Sequence, residues 1–207
     1  MTDLRTLLAS DASIETVAAH LDAQDPDERE RQANDLSGRE QALLWAVAGT
    51  GPAVDLAHFV PASRGDLEAV HHPGRNTIPS LRYFQMFEKR FCRPRGERAR
   101  LFGYNASNAW FVTPGYFVAY ETAGREEWQG RGAVVIDYHL VPAEEVPEAW
   151  PAVVPNSVGL QRFVYHRTRD FMRRVSSHVS IGRAAKEDER GDRELDFWFT
   201  LCRRDPA

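Results

Sequence analysis

Apolar residues are densest between Ala109 and Val141, in two runs separated by a polar stretch. Tyr116 to Tyr120 and Val134 to Tyr138 are rich in aromatic and β-branched types. The intervening AGREEWQGRG carries three glycines and four charges, so the pattern predicts two strands joined by a solvated tip. Side chains alternate across a strand. Val134, Ile136, Tyr138 and Leu140 therefore share one face, predicted to be core. Ala133, Val135, Asp137, His139 and Val141 share the other, which mixes apolar and ionisable groups as an outer face or a cavity wall would. The first strand is apolar on both sides, which predicts cover on both faces, inside a curved sheet or under a helix.

Residues 1–50 follow a helical period. Ser13 caps a segment with Ile14, Val17, Ala18 and Leu21 on one stripe, Asp25-Pro26 opens a second, and Ser37 with Glu40 forms a capping-box pattern before an apolar run that Gly49 stops. Two or three short helices are expected. Residues 50–78, including the stretch HHPGRN from His71 to Asn76, look irregular. Pro79 to Phe91 places Leu81, Tyr83, Phe84, Phe87 and Phe91 on one helical arc and is assigned as a helix, with a strand as the alternative.

Beyond residue 100 the pattern is antiparallel β. Strands are expected at Leu101 to Tyr104, Leu160 to His166, Val175 to Ile181 and Leu195 to Leu201. The proline-rich residues 142–159 form a long connection, and a charged tip joins the last two strands. The fold class is α+β: an N-terminal helical layer plus a curved antiparallel β-sheet of about six strands. Closure into a small barrel is the alternative. Residues 1–50 are a helical layer or appendage and 51–207 a β-rich domain. We expect one cooperative unit across 1–207, because about 50 residues rarely hold a core alone.

Composition narrows the class. Two cysteines, Cys92 and Cys202, are too few for a disulfide scaffold, which points to reduced thiols and a cytoplasmic location. No apolar run approaches a membrane span, and the N-terminus lacks a signal-like apolar stretch, so no membrane partner is expected. Arginine outnumbers lysine 24 to 2, read as a genomic composition bias. With a net charge of −4, the chain is not expected to bind nucleic acid. Basic segments at 73–110 and 160–187 interleave with acidic ones.

Candidate chemistry centres on the odd-numbered face of the second strand. Asp137 and His139 share it, and Glu121 falls on the same face of the neighbouring strand if the hairpin is symmetric. A carboxylate beside an imidazole tunes its proton affinity and could serve acid–base catalysis. The competing reading is a solvated strand face. A second constellation is Arg167, Arg169, Arg173 and Arg174 with His166 and His178 nearby, a set of forks that could clamp an anion, with Tyr116 and Phe117 supplying aromatic wall. No zinc spacing, phosphate loop or nucleophile elbow is present, so no metal and no cofactor are assigned. His71-His72 is a surface-loop pair on this reading.

Three functions fit. The first is an aromatic-lined pocket for a small anionic organic ligand. The second is an enzyme using Asp137 and His139. The third is a non-catalytic interaction module that binds a protein through its acidic helices. Sequence does not fix enzymatic status or oligomeric state.

Overall fold

The structure, a computed structural model, describes residues 3–79, 85–107 and 114–204. Eight antiparallel strands follow one another in chain order and close into a barrel. They are β1 (Val70–Asn76), β2 (Met86–Cys92), β3 (Arg100–Ser107), β4 (Gly115–Glu121), β5 (Val134–Asp137), β6 (Thr168–Arg174), β7 (Val179–Asp188) and β8 (Gly191–Cys202). The last pairs back onto the first through Gly74–Leu201, Arg75–Thr200 and Asn76–Phe199. Closure removes both sheet edges. The expected α+β class and its barrel alternative describe the molecule, with eight strands where about six were anticipated.

The N-terminal helices are α1 (Leu4–Ala9), α2 (Ile14–Asp22), α3 (Pro26–Asn34), α4 (Gly38–Ala48) and α5 (Leu56–Phe59). Their starts are written in the sequence. Asp3, Ser13, Asp25 and Ser37 each accept from a backbone N–H of the first turn, and Glu40 Oε2 accepts from Ser37 N at 2.6 Å to complete the capping box. The apolar stripe of α1, α2 and α4 (Leu4, Val17, Leu21, Leu44) packs on the outward side chains Phe171, Val175, Val179 and Ile181. No helix among the described residues is long and apolar enough to cross a membrane.

Strand parity divides the apolar residues into three compartments. Inside the barrel lie Phe87, Phe91, Phe117, Ile136, Met172 and Phe199. Under the helices lies the first outer cluster. On the opposite wall Phe102, Tyr104, Tyr116 and Val118 are covered by Trp150 and its neighbours from the 142–158 connection. This accounts for a first organising strand that is apolar on both sides. One end of the barrel is plugged by the segment around α5, whose Val54, Leu56, Phe59 and Val60 join the interior cluster. His72 Nε2 lies 2.9 Å from Phe59 O, and the Phe59 ring stacks on Phe91 at 5.0 Å.

Several assignments change. The HHPGRN stretch is strand β1, not a loop. Its proline is tolerated because continuous pairing with β8 starts only after it, at Gly74. The helix assigned over 79–91 is a strand wherever it is described from Met86 onward; Ser80 to Phe84 lie outside the described residues. Phe87 and Phe91 satisfy both periods, and the interior position between them is Lys89, a charge where a strand pattern needs an apolar residue. The strand assigned to 160–166 is instead a 3-10 turn at Leu160–Phe163 followed by a bend, with Arg167 in the left-handed region at φ 61°. Val175 to His178 is a turn preceding β7. There Val179 and Ile181 pack outward under the helices, while Ser180 between them is fully buried. Leu140 lies past the end of β5 and is exposed. Ala109 to Thr113 of the first apolar run lie outside the described residues.

Candidate functional site

The barrel encloses a cavity of about 520 Å³ at the end opposite α5. Its walls are Phe87 on β2, Leu195, Phe197 and Phe199 on β8, and Tyr165 from the bend before β6. Ile78, Phe163 and Val164 stand at the same cavity as exposed apolar side chains, Phe163 at 67%. The volume is in the range of a small-molecule site, and eight strands leave room for one such ligand.

The polar groups converge deep in this cavity. Lys89 extends inward from β2, where the register sets it opposite Asn105 of β3 and His72 of β1. Its Nζ donates to Asp170 Oδ2 at 3.1 Å and to the Tyr138 hydroxyl. Asp170 arrives from β6, opposite Ala184 of β7. Tyr138 sits just past β5, and its carbonyl accepts from the buried Asn156 Nδ2 at 2.8 Å, which also donates to Tyr116 O at 2.6 Å. The long connection therefore fixes the turn that carries Tyr138. Tyr165 stacks on Tyr138 at 5.1 Å and accepts from Asn105 Nδ2 at 2.9 Å.

Four rings surround the Lys89 ammonium, with centroids at 4.9 Å (Phe199), 5.0 Å (Tyr138), 5.4 Å (Phe87) and 5.5 Å (Phe117). Such rings attract a cation most when water is excluded. Two of them rest against glycine: a Cβ at Gly182 would overlap the Phe199 ring, and one at Gly103 the Phe117 ring. Burial pulls the Lys89 proton affinity below that of an ordinary lysine, and Asp170 opposes the shift. Burial, reinforced by the Asp170 carboxylate, holds the Tyr138 phenol well above its ordinary value, and burial pushes Tyr165 up to about 12. Both phenols are donors at neutral pH. The arrangement offers an amine or ammonium, a phenol and a carboxylate in a mostly apolar, aromatic pocket.

The residues singled out from sequence are placed elsewhere, except Phe117. The odd-numbered face of β5 is the outer face of the barrel, and the even-numbered face is the interior. Asp137 is 3% exposed and fully engaged: it accepts from Tyr120 Oη at 2.8 Å, Arg169 Nε at 3.0 Å and His139 N at 2.9 Å. His139 Nδ1 lies 3.7 Å from Glu187, which also meets Arg167 at 3.5 Å. Arg169 bridges Asp137 and Asp192, whose other oxygen accepts from Trp128 Nε1. Glu121 is exposed at the far end of β4, opposite Val134 and away from Asp137. Arg173 lies 3.9 Å above the Trp45 ring and donates to Trp45 O, pinning α4 to the barrel. Arg174 donates to Ser176 O, His178 meets Arg203, and His166 is exposed. Tyr116 is on the outer wall, its hydroxyl donating to Pro151 O at 2.5 Å. The structure thus joins Asp137, His139, Arg167 and Arg169 in one outer charge network and separates the rest.

Lys89, Tyr138 and Asp170 were missed as a site, yet one signal was present. The chain has two lysines among 26 basic side chains, and both, Lys89 and Lys186, line this cavity. No group of three His, Cys, Asp or Glu side chains among the described residues is placed to hold a metal ion. Comparison with known proteins finds no matching family model, no similar curated protein and no matching solved structure.

Proposed function

We propose that the barrel is a receptor for a small organic anion with an apolar body. The ligand passes Phe163 and Val164 and sets its oxygen head against Lys89 and Tyr138. The observation that carries this reading is the charge of the cavity wall. Its described residues include two ammonium groups, Lys89 and Lys186, and one carboxylate, Asp170, in a lining that is otherwise uncharged and mostly apolar or aromatic. A monoanion makes that wall neutral, and a cation would add to its charge. Tyr138, Tyr165 and Asn105 supply neutral donors that orient the head. The two cysteines are free and buried, which suits a reducing compartment, and a cytoplasmic site of action is part of this proposal.

An interaction module built on the N-terminal helices gains little support, because Leu43 is the one large apolar side chain exposed on residues 3–50. The test is equilibrium binding of 1-anilinonaphthalene-8-sulfonate, read by fluorescence and competed with cinnamate. One saturable site is expected, with cinnamate displacing the dye and cinnamyl alcohol doing so far less well. Equal competition by acid and alcohol would remove the anionic part of the proposal, and no saturable binding would remove the receptor itself.

A further inference from the structure

We infer that Lys89 is a nucleophilic amine that captures aldehydes or ketones in the cavity as an imine, with Asp170 as the counter-ion of the resulting iminium. This rests on the receptor reading and names the reactive head that its ligand class would carry.

A site that needs only a fixed positive charge for an anion is served better by arginine, whose planar fork holds a carboxylate through two hydrogen bonds. This chain uses arginine 24 times and lysine twice. At the deepest polar point of the cavity it places lysine, the one of the two cations that can shed its proton and become a nucleophile. The surroundings favour that change. Nζ lies among four aromatic rings, 3.1 Å from a carboxylate that can accept its proton, and bonded to a phenol that can polarise a carbonyl oxygen. Burial already weakens the hold of the amine on its proton.

The step balances without any redox partner. The ammonium proton passes to the Asp170 carboxylate. The nitrogen lone pair forms a bond to the carbonyl carbon, and the carbonyl π pair moves to oxygen, which takes a proton from the Tyr138 hydroxyl. The attacking nitrogen returns a proton to that phenolate, giving the neutral carbinolamine. Asp170 then protonates the carbinolamine hydroxyl, the C–O bond breaks, and water leaves. The nitrogen lone pair forms the C=N bond of an iminium facing the restored carboxylate. The net change is ammonium plus carbonyl to iminium plus water. The rings that surround the ammonium then surround the iminium and keep water from reversing the step.

The experiment incubates the full-length protein at pH 7 with cinnamaldehyde and sodium cyanoborohydride, which reduces an iminium to a stable secondary amine, and maps the adduct by peptide mass spectrometry. One cinnamyl group on Lys89 is expected, formed at least about tenfold faster than on the amine of N-acetyl-lysine amide, as desolvated lysines react. Lys89→Arg should abolish it while still binding cinnamate; Lys186→Arg should leave it in place. Wild-type mapping decides the matter even if a variant fails to fold. No adduct, or adduct confined to Lys186 or the N-terminal amine, overturns the inference. If cinnamate still binds in that case, the receptor reading stands alone. Adduct on Lys89 without cinnamate binding supports the imine and removes the anionic reading.

Discussion

Lys89 and Asp170 meet at 3.1 Å inside the barrel, one from β2 and the other from β6, with 3% and 7% of their side chains exposed. Both charges are nearly covered by the side chains around them. Removing one partner strands the other in an aromatic environment, which typically costs about 3–5 kcal/mol, whereas replacing both with apolar side chains of similar volume is often neutral. Lys89→Met and Asp170→Leu should therefore each lower stability by about that amount in urea unfolding, and the double variant should recover most of the loss. Additive losses would show that the two groups act independently.

The aromatic wall around this pair depends on Gly182. A methyl group there would overlap the Phe199 ring, which would have to turn away from Lys89. Gly182→Ala should cost about 1–3 kcal/mol by overpacking, and it should weaken binding of the anionic dye as the cage opens. Unchanged dye affinity in a folded variant would place the ligand away from Phe199.

Arg169 poses the opposite case. It was read from sequence as an anion clamp, but it is engaged within the protein: Asp137 and Asp192 hold its guanidinium from two sides, and both carboxylates are nearly covered. Their pull raises its proton affinity against the effect of burial. Arg169→Gln should lower stability by a few kcal/mol, on the order of 3, because two buried carboxylates lose their partner. It should leave dye affinity within about twofold, a change near 0.4 kcal/mol. A selective loss of ligand binding with stability intact would restore the clamp.

The architecture was legible where one period dominated. Ser13, Pro26 and the Ser37–Glu40 box marked helix starts, and Leu195 to Leu201 alternated cleanly into an interior face. It was illegible where function interrupts the pattern. Lys89 between Phe87 and Phe91 breaks the strand alternation that would have exposed β2, and Pro73 disguises β1. The face of β5 was ambiguous for a physical reason: in a barrel wrapped by helices and a long connection both faces are buried, so burial alone cannot say which lines the cavity. Asp137 looked like chemistry because it shares a strand face with His139, but its oxygens are already committed to Tyr120, Arg169 and His139 N. The site itself was carried by the rarity of lysine, a cue that only gains meaning once both lysines are seen in one cavity.

The helical layer and barrel should behave as one unit. Deleting residues 1–50 would uncover Phe171, Val175, Val179 and Ile181 on the barrel wall and release Arg173 from Trp45. Each such apolar side chain forfeits about 1.5–3 kcal/mol of burial, in sum about 6–12 kcal/mol, which is comparable to the whole stability of a typical domain. The fragment 51–207 should therefore be insoluble or lack a cooperative melting transition. A soluble fragment with a sharp calorimetric transition would make the helices a separate module.

His58 is expected to govern the first loss of stability on the acid side. It lies in α5, the plug of the barrel, with its ring edge-on to Phe59 at 5.2 Å, and neither ring nitrogen finds a hydrogen-bond partner among the described residues. Burial lowers its pKa well below the ordinary 6.5, and the nearby His72, Arg203, Arg174 and His178 push the same way. The folded protein thus keeps this imidazole neutral while the unfolded chain protonates it below pH 6.5. In that window the unfolded state binds more protons, so stability is complete above pH 6.5 and is lost as pH falls, by up to about 1.4 kcal/mol per pH unit. Surface carboxylates such as Glu28, with an ordinary value of 4.5, add their own loss only at lower pH. His58→Leu removes the proton site and two unpaired nitrogens, so its stability at pH 7.5 should stay within about 1 kcal/mol of wild type. Between pH 6.5 and 5 its profile from urea midpoints should be flat where the wild-type profile declines. A wild-type profile that is equally flat over that range would show that His58 is not what the acid side of the fold depends on.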